Sequence, residues 1–168
     1  MKSLTIIKSG LFSVVLPFVL LFSVNSYSAD EHTNINTGQW IKTLELEQYK
    51  NKVVYLDFWA SWCGPCRKSF PWLNNIQNKF EDKGLVVIGI NLDSDFKNAQ
   101  EFLESVPAEF ALFSDPKAKW ADQYKLIGMP SSFVLDGNGE IRHRHVGFKK
   151  SNIDAYEKSI VSLLNELK

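Results

Sequence analysis

Two cysteines occur in the chain, Cys63 and Cys66, with Gly64-Pro65 between them. A bridge between residues so close closes a tiny loop and removes little freedom from the unfolded chain, so a structural staple has a weak motive. Reactivity explains the pair better. The cysteines follow an apolar run and open a helical pattern. A helix N-terminus presents unpaired N–H groups and a partial positive charge, and both favour a thiolate. Cys63 stands at that end, where its sulfur is expected to be exposed and nucleophilic. Cys66 lies one turn further in on the same face, placed to attack a mixed disulfide held at Cys63. Pro65 suits the first turn, where its missing N–H costs nothing. We read Cys63 as the nucleophile and Cys66 as the resolving thiol of a redox-active disulfide that needs no other cofactor.

Asp57 is the second informative residue. It is the lone acid in Val53-Val54-Tyr55-Leu56-Asp57-Phe58-Trp59, an otherwise apolar run. Continuous apolarity marks a central strand covered on both faces, where an acid is costly without a partner or a role. Asp57 precedes Cys63 by six residues, so the strand can deliver it beneath the cysteine turn. There it is expected behind Cys66, relaying a proton as that thiol becomes the attacking thiolate; the alternative is a structural acid bonded to backbone or lysine. A half zinc site would need two more ligands, and there is no second cysteine pair. His143 and His145 alternate with Arg142 and Arg144 on an expected hairpin strand, which reads as a solvated face, so no metal is assigned.

The remaining pattern describes one domain over residues 40–168. Helical spacing runs from Gly64 to Lys83 with Pro71 inside it, where a kink is expected. Leu85–Leu92 reads as a second buried strand, Asp95–Ser105 as a helix, Phe110–Phe113 as a short strand and Pro116–Tyr124 as another helix. Ser132–Asp136 and Glu140–Val146 flank Gly137-Asn138-Gly139, a hairpin signal. Ser151–Leu167 is amphipathic, with Ser151 as the expected N-cap. Parallel βαβ followed by a hairpin and a closing helix is an α/β architecture, a central mixed sheet with helices on both faces.

Ahead of it, Lys2 and Lys8 precede the apolar run Leu11–Val24 and the small polar stretch ending at Ala29. Residues 1–29 therefore read as a signal peptide, or as an N-terminal membrane anchor if it is not removed. Residues 30–39 are polar and read as a flexible start to the mature chain. Lys plus Arg and Asp plus Glu number 19 each, a balance that points away from a nucleic-acid partner.

Asp57-Phe58-Trp59-Ala60-Ser61-Trp62-Cys63-Gly64-Pro65-Cys66-Arg67-Lys68, with Pro71 beyond it, resembles the active-site block of the thioredoxin superfamily. Gly128-Met129-Pro130 is similar to the loop that holds the family's cis-proline, which faces the disulfide and pairs with substrate backbone. The leader, the extra helix near residues 95–105 and Pro130–Asp136 resemble the TlpA/ResA group of exported thiol-disulfide oxidoreductases. The resemblance implies a thioredoxin fold, a periplasmic or otherwise extracytoplasmic location, and disulfide-containing exported clients, apocytochrome c among them. A membrane thiol-electron transporter is the implied reductant. Trp62, Gly64, Pro65, Met129 and Pro130 are assigned to the substrate-contacting rim, with Trp59 packed inward.

Gly64-Pro65 and Asp57 depart from cytochrome-dedicated members of the group, and Asp93 and Asp95 do not cleanly match their acidic residue. Thioredoxin poises near about −270 mV and the strong periplasmic oxidant near about −120 mV, roughly 7 kcal/mol apart. Gly-Pro supplies no side chain that favours the thiolate, which tilts the expectation toward a protein-disulfide reductase. The alternatives are an oxidase or isomerase of the same fold, a thiol peroxidase, or a metal- or client-binding module without turnover.

Overall fold

The computed structural model describes residues 39–167; the leader over 1–29 and the segment 30–38 lie outside the described residues. The elements run β1 (Trp40–Ile41), β2 (Val53–Trp59), α1 (Gly64–Phe80), β3 (Leu85–Asn91), α2 (Phe96–Ser105) and β4 (Ala111–Ser114). They continue with α3 (Lys119–Gln123), β5 (Ser131–Leu135), β6 (Ile141–Val146) and α4 (Ile153–Glu166). One sheet in the order β1-β4-β3-β2-β5-β6 joins all six strands. β1, β4, β3 and β2 run parallel to one another, while β5 pairs antiparallel with both β2 and β6.

Every residue of β2 and of β3 is buried, as two-sided apolar runs require. Alternate residues of β2 serve two cores. Tyr55 and Trp59 pack with Phe70, Leu73 and Ile76 of α1, Phe102 of α2 and Tyr156 and Ile160 of α4. Val54, Leu56 and Phe58 pack with Ala121 of α3, Tyr124 and Phe133. Aromatic rings centre the first core: Trp59 lies 5.0 Å from Phe70 and 4.9 Å from Phe102, and Phe70 lies 5.2 Å from Phe110. β6 forms one edge of the sheet, and its outward positions include Arg142 and Arg144. Among the described residues no helix is long and apolar enough to cross a membrane.

Three local expectations are corrected. α3 does not begin at Pro116, because the Asp115 carboxylate accepts from the amides of Lys119, Trp120 and Ala121, and Ala118 is left-handed at φ 54°. The start of the helix is set by that carboxylate. Ser151 does not cap α4; it lies inside a short 3-10 turn over Lys150–Asn152, and its hydroxyl donates to Asn152 Oδ1 instead. His145 is not on a solvated face, because α4 crosses that side of β6 and the His145 ring meets Tyr156 at 4.8 Å. α1 itself runs through Pro71 to Phe80, and a 3-10 turn over Glu81–Lys83 completes the expected span.

Gly89 of β3 stands beside Asp57 of β2. A Cβ there would come within 2.9 Å of Phe110 and 3.0 Å of Leu112, both core side chains. Gly89→Ala is expected to destabilise the protein by about 1–3 kcal/mol through overpacking, read as a lower urea midpoint with an unchanged slope. A wild-type midpoint would show that this core yields where its ring packing says it should not.

Candidate active site

Strand β2 ends at Trp59 and hands the chain to a short loop, Ala60–Trp62, before α1 begins. That loop is tied down at Ser61. Its amide and hydroxyl both donate to the Asp93 carboxylate, at 2.9 and 2.8 Å, and Asn91 Nδ2 donates to the same carboxylate at 2.7 Å. The Leu92 amide reaches back to the Trp59 carbonyl at 2.9 Å. The exit of β3 thus fixes the approach to the cysteines. Asp93 performs this task, while Asp95 caps α2 by accepting from the Lys97 amide.

Cys63 is the N-cap of α1, and its sulfur accepts from the Cys66 amide at 3.2 Å. The two cysteines form a disulfide. Cys63 is not the open residue that its position suggests: it keeps 4% of its surface, because the bridge folds it against the core cluster around α1. Cys66 keeps none, so what little access exists is at Cys63. Arg67, next along α1, lies 4.6 Å over the Phe102 ring and donates to Ser105 Oγ at 2.8 Å, which links the cysteine-bearing turn to α2.

Asp57 lies on the face of β2 that α1 covers, between Tyr55 and Trp59, and is 1% exposed. Ser132 of β5 stands directly opposite it, and the Ser132 hydroxyl donates to Asp57 Oδ1 at 2.6 Å. Asp57 Oδ2 has no hydrogen-bond partner among the described residues. Burial pushes the carboxyl up to about 7, against the Ser132 hydrogen bond, which draws it down. A carboxyl poised there can take or give a proton near neutrality.

The rim residues gather at the same end of the sheet. Ser131 pairs with Phe58, so Pro130, one step earlier, reaches the level of Trp59 and the cysteine loop. The Met129–Pro130 peptide bond is cis. Pro130 is buried and its carbonyl accepts from the Gly147 amide at 2.8 Å. Trp62 is 69% exposed, whereas Trp59 is fully buried; Gly64 and Pro65 are exposed on the first turn of α1. A hollow of about 320 Å³ lies between Leu92, Ala121, Leu126 and Met129. Ile127, between two residues that line the hollow, is an exposed apolar side chain.

Two residues of the cross-strand row through Asp57 were invisible in the motif. Ser132 reads as one of two serines after a proline, and only the pairing of β2 with β5 brings it to Asp57. His145 is next in that cross-strand row, paired with Ser132. Its Nε2 is buried without a partner among the described residues, and burial, then His143, draws its proton affinity down. Among the described residues no three His, Cys, Asp or Glu side chains converge as metal ligands.

Comparison with known proteins agrees with this geometry. The Redoxin family model matches residues 28–160. The thiol-disulfide oxidoreductase ResA of Bacillus thuringiensis is 30% identical over 120 residues, covering 71% of this chain and 69% of its own. A crystal structure from Chlorobium tepidum, named for a thiol:disulfide interchange protein DsbE, has a TM-score of 0.70 at 47% identity, over 72% of this chain and 86% of that one. The exposed lipoprotein thioredoxin Etrx1 of Streptococcus pneumoniae has a TM-score of 0.64 at 27% identity, over 73% and 93% of the two chains.

The raised Asp57 carboxyl has a consequence for stability. In the unfolded chain it titrates near 3.8 and in the folded protein near 7, so between these values the native state holds the extra proton. Stability therefore falls as pH rises from about 4 to about 7 and is level above that. Asp57→Asn removes this component. Urea unfolding of the oxidised protein is expected to show the variant gaining more over wild type at pH 8 than at pH 4, by up to about 4 kcal/mol. Equal gains at both pH values would mean that Asp57 does not titrate in this window.

Proposed function

The chain belongs to the Redoxin family as a ResA-like thiol-disulfide oxidoreductase of the thioredoxin superfamily, and from that premise we propose that it reduces disulfides of exported proteins. One observation carries the exchange chemistry, the Cys63–Cys66 pair opening α1 with the Cys66 amide aimed at the Cys63 sulfur, while the reducing direction rests on Gly64-Pro65, which adds no side chain that favours the thiolate. That amide and the helix terminus favour negative charge on Cys63 once the bridge is reduced.

The Cys63 thiolate attacks one sulfur of the client disulfide and expels the other as a thiolate, leaving a mixed disulfide at Cys63. Asp57 Oδ2, buried and without a hydrogen-bond partner among the described residues, takes the proton from the Cys66 thiol. The Cys66 thiolate then attacks Cys63 Sγ and releases the second client sulfur. Two electrons pass from the dithiol to the client, and the Cys63–Cys66 disulfide is formed. Trp62, Gly64, Pro65, Met129 and Pro130 make the surface against which the client's cystine lies. The reaction calls for no cofactor beyond the cysteine pair.

The leader pattern over residues 1–29 and a relative named as an exposed lipoprotein support an extracytoplasmic, periplasm-type setting. In such a compartment the enzyme disulfide must be recharged by a dithiol donor, for which a membrane thiol-electron transporter is the fitting class. Apocytochrome c is one client class with the required cystine. Gly64-Pro65 and a protonatable Asp57 favour a general reductant over one dedicated to a single client.

Cys66→Ser in the native host is expected to trap clients as mixed disulfides on Cys63, and Cys63→Ser to trap none. The wild-type couple is expected to titrate below about −200 mV, nearer thioredoxin than the periplasmic oxidant. A potential above about −150 mV would make the protein an oxidase or isomerase instead.

A further inference from the structure

Asp57 has two carboxylate oxygens in different circumstances. Oδ1 is held at 2.6 Å by the Ser132 hydroxyl, while Oδ2 is buried with no partner among the described residues. The cross-strand pairing of β2 with β5 puts the two residues face to face, and both are buried. A lone acid in a fully buried strand needs a donor, and a hydroxyl offers one without bringing a charge. We infer that Ser132 is a positioning residue for the exchange reaction: by holding Oδ1 it orients the carboxyl and leaves Oδ2 as the oxygen that receives the Cys66 proton. This rests on the reading of Asp57 as the proton acceptor.

Among the described residues no side chain other than Ser132 donates to Asp57. Gly89 of β3, on the other flank of Asp57, has no side chain to offer. Tyr55, on the same strand, is held neutral by its burial and then by Asp57, and its hydroxyl is engaged by Ser132, which draws it the other way. α1 brings Cys66 and Trp72 to this face, and α4 brings Tyr156. β6 adds His143 and His145, which stack on each other at 6.5 Å. Arg144 points to the opposite face, over the Phe133 ring at 4.7 Å. Among the described residues no lysine or arginine forms an ion pair with Asp57; the four ion pairs found lie elsewhere. The Ser132 hydroxyl is therefore the group that offsets the effect of burial on Asp57. It does so by donating to the carboxylate form, which keeps the carboxyl near 7 rather than higher.

The role is distinct from packing because it has a sign. Without the hydroxyl the carboxylate loses its donor and Asp57 holds its proton more tightly. An upward shift of about one pH unit would cut the carboxylate fraction at pH 7 about fivefold, and the resolving step would slow by the same factor. Serine and threonine both supply the hydroxyl, whereas alanine removes it and little else.

The experiment uses the full chain as wild type, Ser132→Ala, Ser132→Thr and Asp57→Asn. Carbon-detected NMR follows the Asp57 carboxyl against pH, and stopped-flow mixing follows the rate at which Cys66 resolves a mixed disulfide at Cys63. Ser132→Ala is expected to raise the Asp57 midpoint by about one unit and to move the pH–rate profile with it, while Ser132→Thr stays near wild type. An unmoved midpoint in Ser132→Ala, or an equal shift in Ser132→Thr, overturns the inference. A moved midpoint with an unmoved rate profile overturns instead the proton-acceptor role of Asp57, and the catalytic part of the inference with it. Asp57→Asn separates the cases, since its rate profile must lose the inflection near neutrality if Asp57 is the acceptor.

Discussion

Strand β2 has neither an exposed residue nor a free edge, and the site takes its geometry from that confinement. Its backbone is spoken for on both sides, by β3 in parallel and by β5 in the opposite sense. Its side chains are spoken for above and below, in two separate cores. A strand so held cannot slip by one residue without sending Asp57 into the wrong core and Phe58 into its place. The register that fixes Asp57 against Ser132 also sets the level of the cis-proline loop and the point at which the chain leaves for Cys63. Position, in this protein, is transmitted along one strand.

The cysteine loop is held by a second, polar anchor. Asp93 receives two hydrogen bonds from Ser61 and one from Asn91, so this buried carboxylate is met by three donors where Asp57 is met by one. The contrast explains their different characters. A carboxylate surrounded by donors is held in its charged form, and one with an oxygen left over is favoured in that form less. Two buried acids close to one end of the sheet thus differ, Asp93 tying down the loop and Asp57 keeping one oxygen without a hydrogen-bond partner among the described residues.

Much of this was legible in the residues. The β-branched and aromatic run around Asp57, the cysteines at a helix start and the glycine-rich hairpin are local signals, and local physics decided them. Ser132 was not legible, because its meaning depends on a partner 75 residues away in the chain. His145 looked solvated since it alternates with arginines, yet the face it shares is the one α4 happens to cross. Asp115 hid the true start of α3 in the same way, as a side chain acting on amides several residues ahead. What sequence pattern could not supply was consistently a side chain's partner, rarely the element on which it sits.

Among the described residues the sheet ends on one side at β6, which pairs with β5 alone. An open strand edge is a template for any extended segment that meets it. Arg142 and Arg144 stand along that strand, and Arg142 is engaged with Asp136 and Glu166. Charged side chains at an edge disfavour the docking of further strands there, so the hairpin that completes the sheet also guards its open edge.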